Sequence, residues 1–309
     1  MQVEWLNVLV RFLLYLDLML VFGLPLFAGY SLRGGELRSP VASRLIDWTA
    51  AAGVAGMVLS AIGMAVMAKA MTGAASYSEL TAHVFEMMIT GTAFGLAWAG
   101  RLIALTLGIT AVIALRNWPH IRLPVLGITG AVALSTLAWA GHGAMDDSAG
   151  SAIHLFHLFV DIAHLLAAGV WIGALVAFVL LGRAVRTGSA PLSLLARSAH
   201  DFARLGSIIV VALVATGVAN YWLIAGLPSI SAARSPYGML LLAKLALFAT
   251  MLGMAALNRY RLVPRLAAEV DSATVSGATR ALRRSLLVEL AIGVVVLMAV
   301  ALLGVLSPE

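Results

Sequence analysis

The sequence contains no cysteine and few charged residues. Its 309 residues are 62% hydrophobic and 11% charged, whereas a soluble domain is about half apolar and about a quarter charged. This composition excludes a soluble globular protein, because a core could not enclose so many apolar side chains. The missing cysteines exclude disulfides, thiolate zinc sites, iron–sulfur clusters and cysteine nucleophiles. Any soft-metal site in this chain must therefore use methionine and histidine.

Eight apolar stretches are long enough to cross a membrane, which takes about 20 residues per helix. Runs of this length satisfy their backbone hydrogen bonds as helices, unlike the alternating strands of a membrane barrel. The first stretch lacks the basic start and cleavage site of a signal peptide, so we expect it to remain as a helix. The sequence predicts an all-α membrane protein, a polytopic bundle of eight transmembrane helices at 8–30, 46–69, 93–115, 123–141, 152–181, 205–226, 238–258 and 285–306.

The distribution of basic residues predicts the orientation of this bundle. Four alternate loops, 31–45, 116–122, 183–204 and 259–284, hold 15 of the 20 Lys and Arg residues. The positive-inside rule places these loops in the cytoplasm and both termini in the periplasm. The basic residues therefore require no nucleic-acid partner. We expect a single integral membrane domain over 1–309, since no internal repeat or long linker divides the chain.

One predicted outer loop, 71–92, contains a short amphipathic segment near 77–90. If this segment is helical, its spacing places three polar residues on one face, namely Glu79, His83 and Glu86. The opposite face then carries Leu80, Val84, Met87 and Met88. We expect a short helix that lies at the outer membrane interface.

The fifth span carries a series of ionisable residues that we name the histidine ladder: His154, His157, Asp161 and His164. Their spacing places all four within about 80° of one helix face. They descend about 15 Å from the outer end toward mid-membrane. An ionisable group in the hydrocarbon costs at least about 2.5 kcal/mol. One buried histidine is usually structural, but three with a carboxylate indicate a metal site in which the carboxylate orients a ring.

Methionine and histidine concentrate at the predicted outer end. A methionine stripe on the second span, which would alone be read as packing, ends beside His83. Thioether and imidazole without thiolate favour copper, and Cu(I) prefers the sulfur ligand. We interpret six residues as an outer copper site above the ladder and name them the outer Met/His group: Met64, Met67, Met71, His83, His142 and Met145.

Further charged residues lie within other spans. Asp17 is in the first, Arg101 in the third and Lys244 in the seventh. Asp17 with Arg101, and the ladder carboxylate with Lys244, are candidate neutralising pairs that either lock the bundle or take part in gating. Glu289, near the inner end of the eighth span, is expected to pair with the arginines at 280–284.

The second half of the sequence resembles the copper resistance protein D (CopD) family. Three segments carry most of the resemblance: DIAHLLAAGVWIGAL at 161–175, YGMLLLAKLALFATMLGMAALNRYRLVPRL at 237–266 and LRRSLLVELAIGVVVL at 282–297. Two others match less closely, AGHGAMDD at 140–147 and TGTAFGLAWAGRLIAL at 90–105. The CopD-like core thus covers about 90–306, and the resemblance is weak over the first two spans.

This resemblance implies an eight-span protein of the bacterial inner membrane that passes periplasmic copper, Cu+ or Cu2+, inward. It also implies a periplasmic copper chaperone of the CopC type as a partner on a separate chain. The family's histidines and acid carry over onto His142, Asp161 and His164, and its lysine carries over onto Lys244. The other ladder histidines and the methionines rest on spacing alone.

Two other functions compete with copper permeation. Electron transfer through haem b needs two histidines on facing helices at matched depth, whereas the intramembrane histidines lie on one helix. The haem alternative is therefore a single haem near the surface, with His83 or His142 as the outer partner. A scaffold that delivers copper to an enzyme would differ from a permease in having no transmembrane flux. The sequence has no Gly-rich phosphate loop and no nucleophile–base motif, so we expect neither an enzyme nor nucleotide-driven transport.

Overall fold

The computed structural model describes residues 4–140, 151–225, 235–268 and 277–306. Ten α-helices and no β-strand lie in these ranges. The helices are α1 (Trp5–Ser31), α2 (Pro40–Thr72), α3 (Ala82–Gly91), α4 (Ala93–Ala114), α5 (Pro119–Ser135), α6 (Ala152–Arg186), α7 (Leu192–Ala225), α8 (Pro236–Leu257), α9 (Val263–Ala268) and α10 (Gly277–Leu303). A π-helical turn, Asn258–Leu262, joins α8 to α9, and a 3₁₀ turn, Thr136–Ala140, extends α5.

Eight segments of the described chain are long and apolar enough to cross a membrane, which confirms the predicted fold class. They are α1, α2, α4, α5 with its 3₁₀ turn, α6, α7, the continuous α8–α9 rod, and α10. Several helices extend beyond the predicted spans, because helical hydrogen bonding continues past the apolar stretch. The predicted loop 183–204 is reduced to 187–191, and its four arginines lie on the ends of α6 and α7. The orientation in the membrane stays a prediction.

The starts of α2 and α6 follow local sequence signals. Ser39 Oγ accepts a hydrogen bond from the backbone N–H of Ala42 at 3.3 Å, and proline follows as the first residue of α2. Ser151 Oγ accepts one from the backbone N–H of His154 at 3.1 Å. Each hydroxyl satisfies a donor that the first turn of a helix leaves without a partner. The cap on α6 thus fixes where the histidine ladder begins.

Helix α1 lies at the centre of the bundle and packs against α2, α5, α6 and α10. Its closest approach is to α6, where a Cβ atom added to Gly23 would lie 2.7 Å from Gly173 Cα. A Cβ atom added to Gly173 would lie 2.7 Å from the carbonyl carbon of Gly23. Glycine at both positions lets the two backbones touch, as small residues do between membrane helices. Outside this contact, α6 packs on α7 and α10, and α10 packs on α8.

Charged residues tie the α1–α2 connection to the start of α7. Arg197 Nη2 donates to Glu36 Oε2 at 2.6 Å, and Arg33 Nη2 contacts Asp201 Oδ2 at 2.7 Å. Burial acts to raise the pKa of Glu36, but hydrogen bonds from the Arg197 side chain and the Arg33 backbone outweigh it and lower the pKa below its ordinary value. Two ion pairs therefore hold this end of the bundle together.

The predicted amphipathic segment is present as a 3₁₀ turn, Tyr77–Glu79, followed by α3. Met88 on α3 is buried, while Met87, assigned to the same face by the sequence, is 52% exposed. Glu79 lies before the helix and accepts hydrogen bonds from the backbone N–H of Ala75 and the hydroxyl of Ser76. The helix begins only at Ala82, so helical spacing does not apply to Glu79.

The glycine contact between α1 and α6 predicts a position-specific loss of stability. Gly173→Ala places a methyl group against the Gly23 backbone, and we expect it to lower the free energy of unfolding by about 1–3 kcal/mol. Gly182→Ala on the same helix is the matched control, because an added Cβ there meets nothing within 4 Å. Thermal unfolding in detergent measures both variants. Equal midpoints for the two would contradict the packing described.

Candidate functional site

A cavity of about 680 Å³ lies among α1, α6, α7, α8 and α10. Apolar side chains form most of its wall. Its polar lining residues are Tyr15, His164, Tyr221, Ser235, Tyr237 and Lys244. Of the described residues, His164 is the only histidine that lines it, so the deepest rung of the histidine ladder is the one that reaches this space.

A neighbouring threonine fixes the orientation and tautomer of His164. His164 Nδ1 lies 2.8 Å from Thr216 Oγ1, and the Thr216 hydroxyl lies 2.6 Å from the carbonyl oxygen of Ala212. The hydroxyl proton is directed to that carbonyl, so the oxygen accepts a hydrogen bond from Nδ1–H of the histidine. The proton of the neutral ring then sits on Nδ1 and leaves Nε2 with a free lone pair. This is the arrangement in which a neutral imidazole binds a metal ion.

The upper rungs of the ladder share one helix face without forming a hydrogen-bonded chain. His157 Nε2 lies 3.9 Å from Asp161 Oδ2, which is too long for a hydrogen bond. His157 Nε2 and His154 Nδ1 are both buried with no hydrogen-bond partner among the described residues. Both histidines thus keep a ring nitrogen available for another ligand.

Lys244 on α8 faces the ladder from across the cavity. It is close enough to interact electrostatically with Asp161 and with His164. The two residues predicted to form a neutralising pair thus interact electrostatically, and their role as a pair stays a prediction. The ammonium group opposes a cation at His164, while the carboxylate favours one.

The two methionines of the outer Met/His group that lie deepest on α2 pack as core residues. Met64 is buried with Ala68 and Met88, and Met67 packs against the same cluster. Both also line a small cavity of about 40 Å³, whose wall includes the side chains of Arg11 and Arg101. Two guanidinium groups at this cavity disfavour a bound cation.

The other members of the outer Met/His group are at the surface or outside the described residues. Met71 is 58% exposed, and His83 is exposed with Nδ1 3.9 Å from a carboxylate oxygen of Glu86. His142 and Met145 fall in 141–150, outside the described ranges. Within 4–140, 151–225, 235–268 and 277–306, no three His, Asp or Glu residues form a group that would hold a metal ion. The described part of the chain thus offers separate ligands in place of one closed chelate.

The predicted ion pair between Asp17 and Arg101 does not form. Arg101 is buried and donates from Nε to Thr136 Oγ1 at 2.8 Å. Asp17 Oδ2 is buried and has no hydrogen-bond partner among the described residues. The two residues lie on helices α1 and α4, and Arg101 finds its partner on the turn that extends α5.

The expectation that Glu289 pairs with the arginines at 280–284 is also wrong. Its Oε1 accepts a hydrogen bond from Trp171 Nε1 at 3.0 Å, and its Oε2 accepts one from Asn258 Nδ2 at 2.9 Å. The three residues come from α6, the π-helical turn and α10. Each lies in one of the motif segments quoted above, which the fold brings together at one buried point.

Sequence reasoning missed Thr216 and the Trp171–Glu289–Asn258 contact. A polar residue within the sixth span was a signal for Thr216, and the polar residues inside the apolar motif segments were a signal for the other three. Neither signal indicates which helices face each other, so the partners could not be assigned from one chain.

Comparison with known proteins shows the family of the chain. A family model described as "Copper resistance protein D-like, N-terminal domain" matches residues 1–152, and one described as "Copper resistance protein D" matches residues 196–303. A copper resistance protein D of Pseudomonas syringae pv. tomato is 42% identical over 306 residues, 98% of this chain and 97% of that protein. The chain belongs to the copper resistance protein D family.

A second relative places the chain in a bacterial membrane. The inner membrane protein YebZ of Escherichia coli (strain K12) is 29% identical over 301 residues, 96% of this chain and 97% of that protein. No solved structure matches this chain. Together with the eight apolar helices, these relatives confirm a multi-pass inner-membrane protein. The N-terminal match also covers the first two spans, where the resemblance seen in the sequence was weak.

The ladder lies in the part of the CopD-family chain that joins the two matched ranges. Residues 153–195 fall in neither range, and they include His157, Asp161, His164 and Trp171. Haem b, the alternative cofactor, has no support in the described residues, since His164 has no second histidine at its cavity. The copper-related interpretation is the one that the family supports.

The hydrogen bond to Thr216 predicts the tautomer of His164. In Thr216→Val the hydroxyl that accepts from His164 Nδ1–H is lost. We therefore expect a smaller fraction of neutral His164 rings to carry the proton on Nδ1. Nitrogen NMR of histidine-labelled protein, assigned with His164→Ala, measures the shift. Thr250→Val is the control, because Thr250 donates to a backbone carbonyl one turn earlier in the same way and has no histidine partner. An unchanged His164 spectrum in Thr216→Val would contradict the assigned geometry.

Proposed function

We propose that this protein binds copper at the predicted periplasmic end of the bundle and passes it down the histidine ladder into the cavity at His164. The observation that carries the proposal is the hydrogen bond between His164 and Thr216. It holds the ring so that Nε2 is free to bind a metal at the cavity wall. The family of the chain supports copper as the metal.

The upper ladder supplies the steps that lead to His164. His154 and His157 each have a buried ring nitrogen without a hydrogen-bond partner in the described chain. Ring nitrogens of this kind bind Cu+ and Cu2+ alike. The ladder residues are three or four positions apart, so successive steps are about 4.5–6 Å along the helix. Copper then moves by ligand exchange from one ladder residue to the next, with Asp161 as the step between His157 and His164.

Capture occurs at the exposed part of the outer Met/His group. Met71 and His83 are accessible at the surface, and His142 and Met145 lie in the sequence just before the ladder. A periplasmic chaperone of the CopC type, on a separate chain, would release copper to these residues. Met64 and Met67 serve as packing residues, since they lie in a core cluster beside two arginines.

Lys244 keeps the deep site from retaining its copper. A transport site must bind its ion strongly enough to admit it and weakly enough to release it. The ammonium group of Lys244 interacts with His164, so it weakens a cation at that ring. Asp161 offsets part of this charge. The site is thus suited to transit rather than to storage.

Replacing His157 and His164 with alanine tests the proposal. We expect the double variant to lose copper binding while its elution from size-exclusion chromatography in detergent is unchanged. Metal content by mass spectrometry of the purified protein is the measurement, with Cu+ and Cu2+ supplied separately. The matched control is His120→Ala with His200→Ala, two exposed histidines on the predicted cytoplasmic side. Wild-type copper content in His157→Ala/His164→Ala would refute the ladder.

Lys244→Met tests the transit argument. Loss of the positive charge is expected to tighten copper binding about tenfold, which corresponds to about 1.4 kcal/mol. A competition titration with a copper chelator of known affinity measures this change. Lys69→Met is the control, because Lys69 is bonded to Glu4 and lies outside the cavity. Weaker binding in Lys244→Met would show that the lysine supports the site instead.

Uptake into proteoliposomes separates a permease from a delivery scaffold. A permease accumulates copper inside the vesicle, whereas a scaffold binds copper without transmembrane flux. The wild-type protein is expected to give flux that depends on His164.

A further inference from the structure

A second cavity, of about 410 Å³, follows the first along the same helices. Its wall is formed by α6, α7, α10 and the region around the π-helical turn. Along α7 the first cavity is lined by Leu213 and the second by Val210, and along α10 the lining passes from Gly293 to Glu289. Trp171 lines both cavities. The indole ring is thus part of the wall of both spaces.

Trp171 belongs to a polar group at this shared part of the wall. Trp171 donates to one carboxylate oxygen of Glu289, and Asn258 donates to the other. His164 lies two helical turns above Trp171 on the same face of α6, at a distance of about 10 Å along the axis. A cation that leaves His164 toward the predicted cytoplasmic side would meet this group next.

The group has more acceptors than donors. Each carboxylate oxygen of Glu289 receives one hydrogen bond from the described residues and has room for another. Asn258 is 7% exposed, and its Oδ1 has no hydrogen-bond partner in the described ranges. Ser285, one turn before Glu289 on α10, also has a buried hydroxyl without a partner there. Unsatisfied buried oxygens require a proton, a water or a cation.

Local helix geometry supports a functional role for Asn258. The π-helical turn begins at this residue and separates α8 from α9. Single π turns within helices occur frequently at functional sites, because they are less stable than continuous α-helix. The adjacent Arg259 lines the same cavity, but its guanidinium donates to the Ser207 hydroxyl. This hydrogen bond directs the guanidinium toward Ser207 on α7, and the hydroxyl does not neutralise its charge.

We propose that Glu289 and Asn258 form a cation-binding step between the two cavities, and that Trp171 closes this step in the state described here. The proposal rests on the proposed copper function and extends its path beyond His164. The occupant is a positive charge with a preference for oxygen ligands. Cu2+ and a proton both fit, whereas Cu+ prefers sulfur and imidazole. Either the copper itself passes Glu289, or a proton moves there as copper is released.

Flux through proteoliposomes that contain a copper indicator and a pH indicator tests this step. Glu289→Gln keeps the shape of the side chain, and the Asn258 amide can rotate to accept from the new amide. We expect copper binding equal to wild type and copper uptake reduced at least tenfold. Glu36→Gln is the matched control, since that carboxylate is bonded to Arg197 and lines neither cavity. In the wild-type protein, an internal pH change that accompanies uptake identifies a proton, and uptake without a pH change identifies copper.

Three outcomes would overturn the step at Glu289. Wild-type uptake in Glu289→Gln would refute it and leave the ladder intact. Copper binding without uptake in the wild-type protein would refute any passage and favour a scaffold. No copper binding by the wild-type protein would refute the proposed function itself.

If Glu289→Gln fails to fold, Asn258→Ala serves as the second variant, because the carboxylate and its bond to Trp171 remain. At least a tenfold loss of uptake is again expected.

Discussion

The backbone contact between α1 and α6 determines where the polar residues of this bundle lie. Gly23 on α1 meets Gly169 and Gly173 on α6 with no side chain between the two helices. At 100° per residue, Gly173 is half a turn away from His164, while Trp171 is within about 20° of it. Locking the glycine face against α1 therefore turns the histidine and the tryptophan toward α7, α8 and α10. The positions of His164 and Trp171 in the cavity wall both follow from this contact.

Sequence periodicity predicted the helices and the ladder face, because both depend on spacing within one segment. It could not predict partners across segments. Arg101 bonds to Thr136 instead of Asp17, and Glu289 bonds to Trp171 and Asn258 instead of to arginines. In hydrocarbon every buried polar atom favours whichever partner the packing brings within reach. That choice is made by helix packing, which one sequence does not reveal.

The methionines illustrate the same limit in a different way. A thioether is both an adaptable packing group and a soft metal ligand, so the presence of methionine in a sequence does not distinguish the two roles. Burial and local charge separate the roles. Met64 lies in a core cluster beside two guanidinium groups, whereas Met71 is open to the surface. The methionines at the predicted outer end of the bundle therefore include both buried packing residues and exposed residues.

Two family models match separate regions of this chain, and both regions are needed to enclose the large cavity. Walls of the large cavity come from α1, in the first region, and from α7, α8 and α10, in the second, while the ladder helix lies mostly between them. Ion pairs at the α1–α2 connection add a second link to α7. Neither region encloses the cavity by itself. If the chain were cut at the boundary between the regions, the cavity would form only where the two pieces reassociate within the membrane.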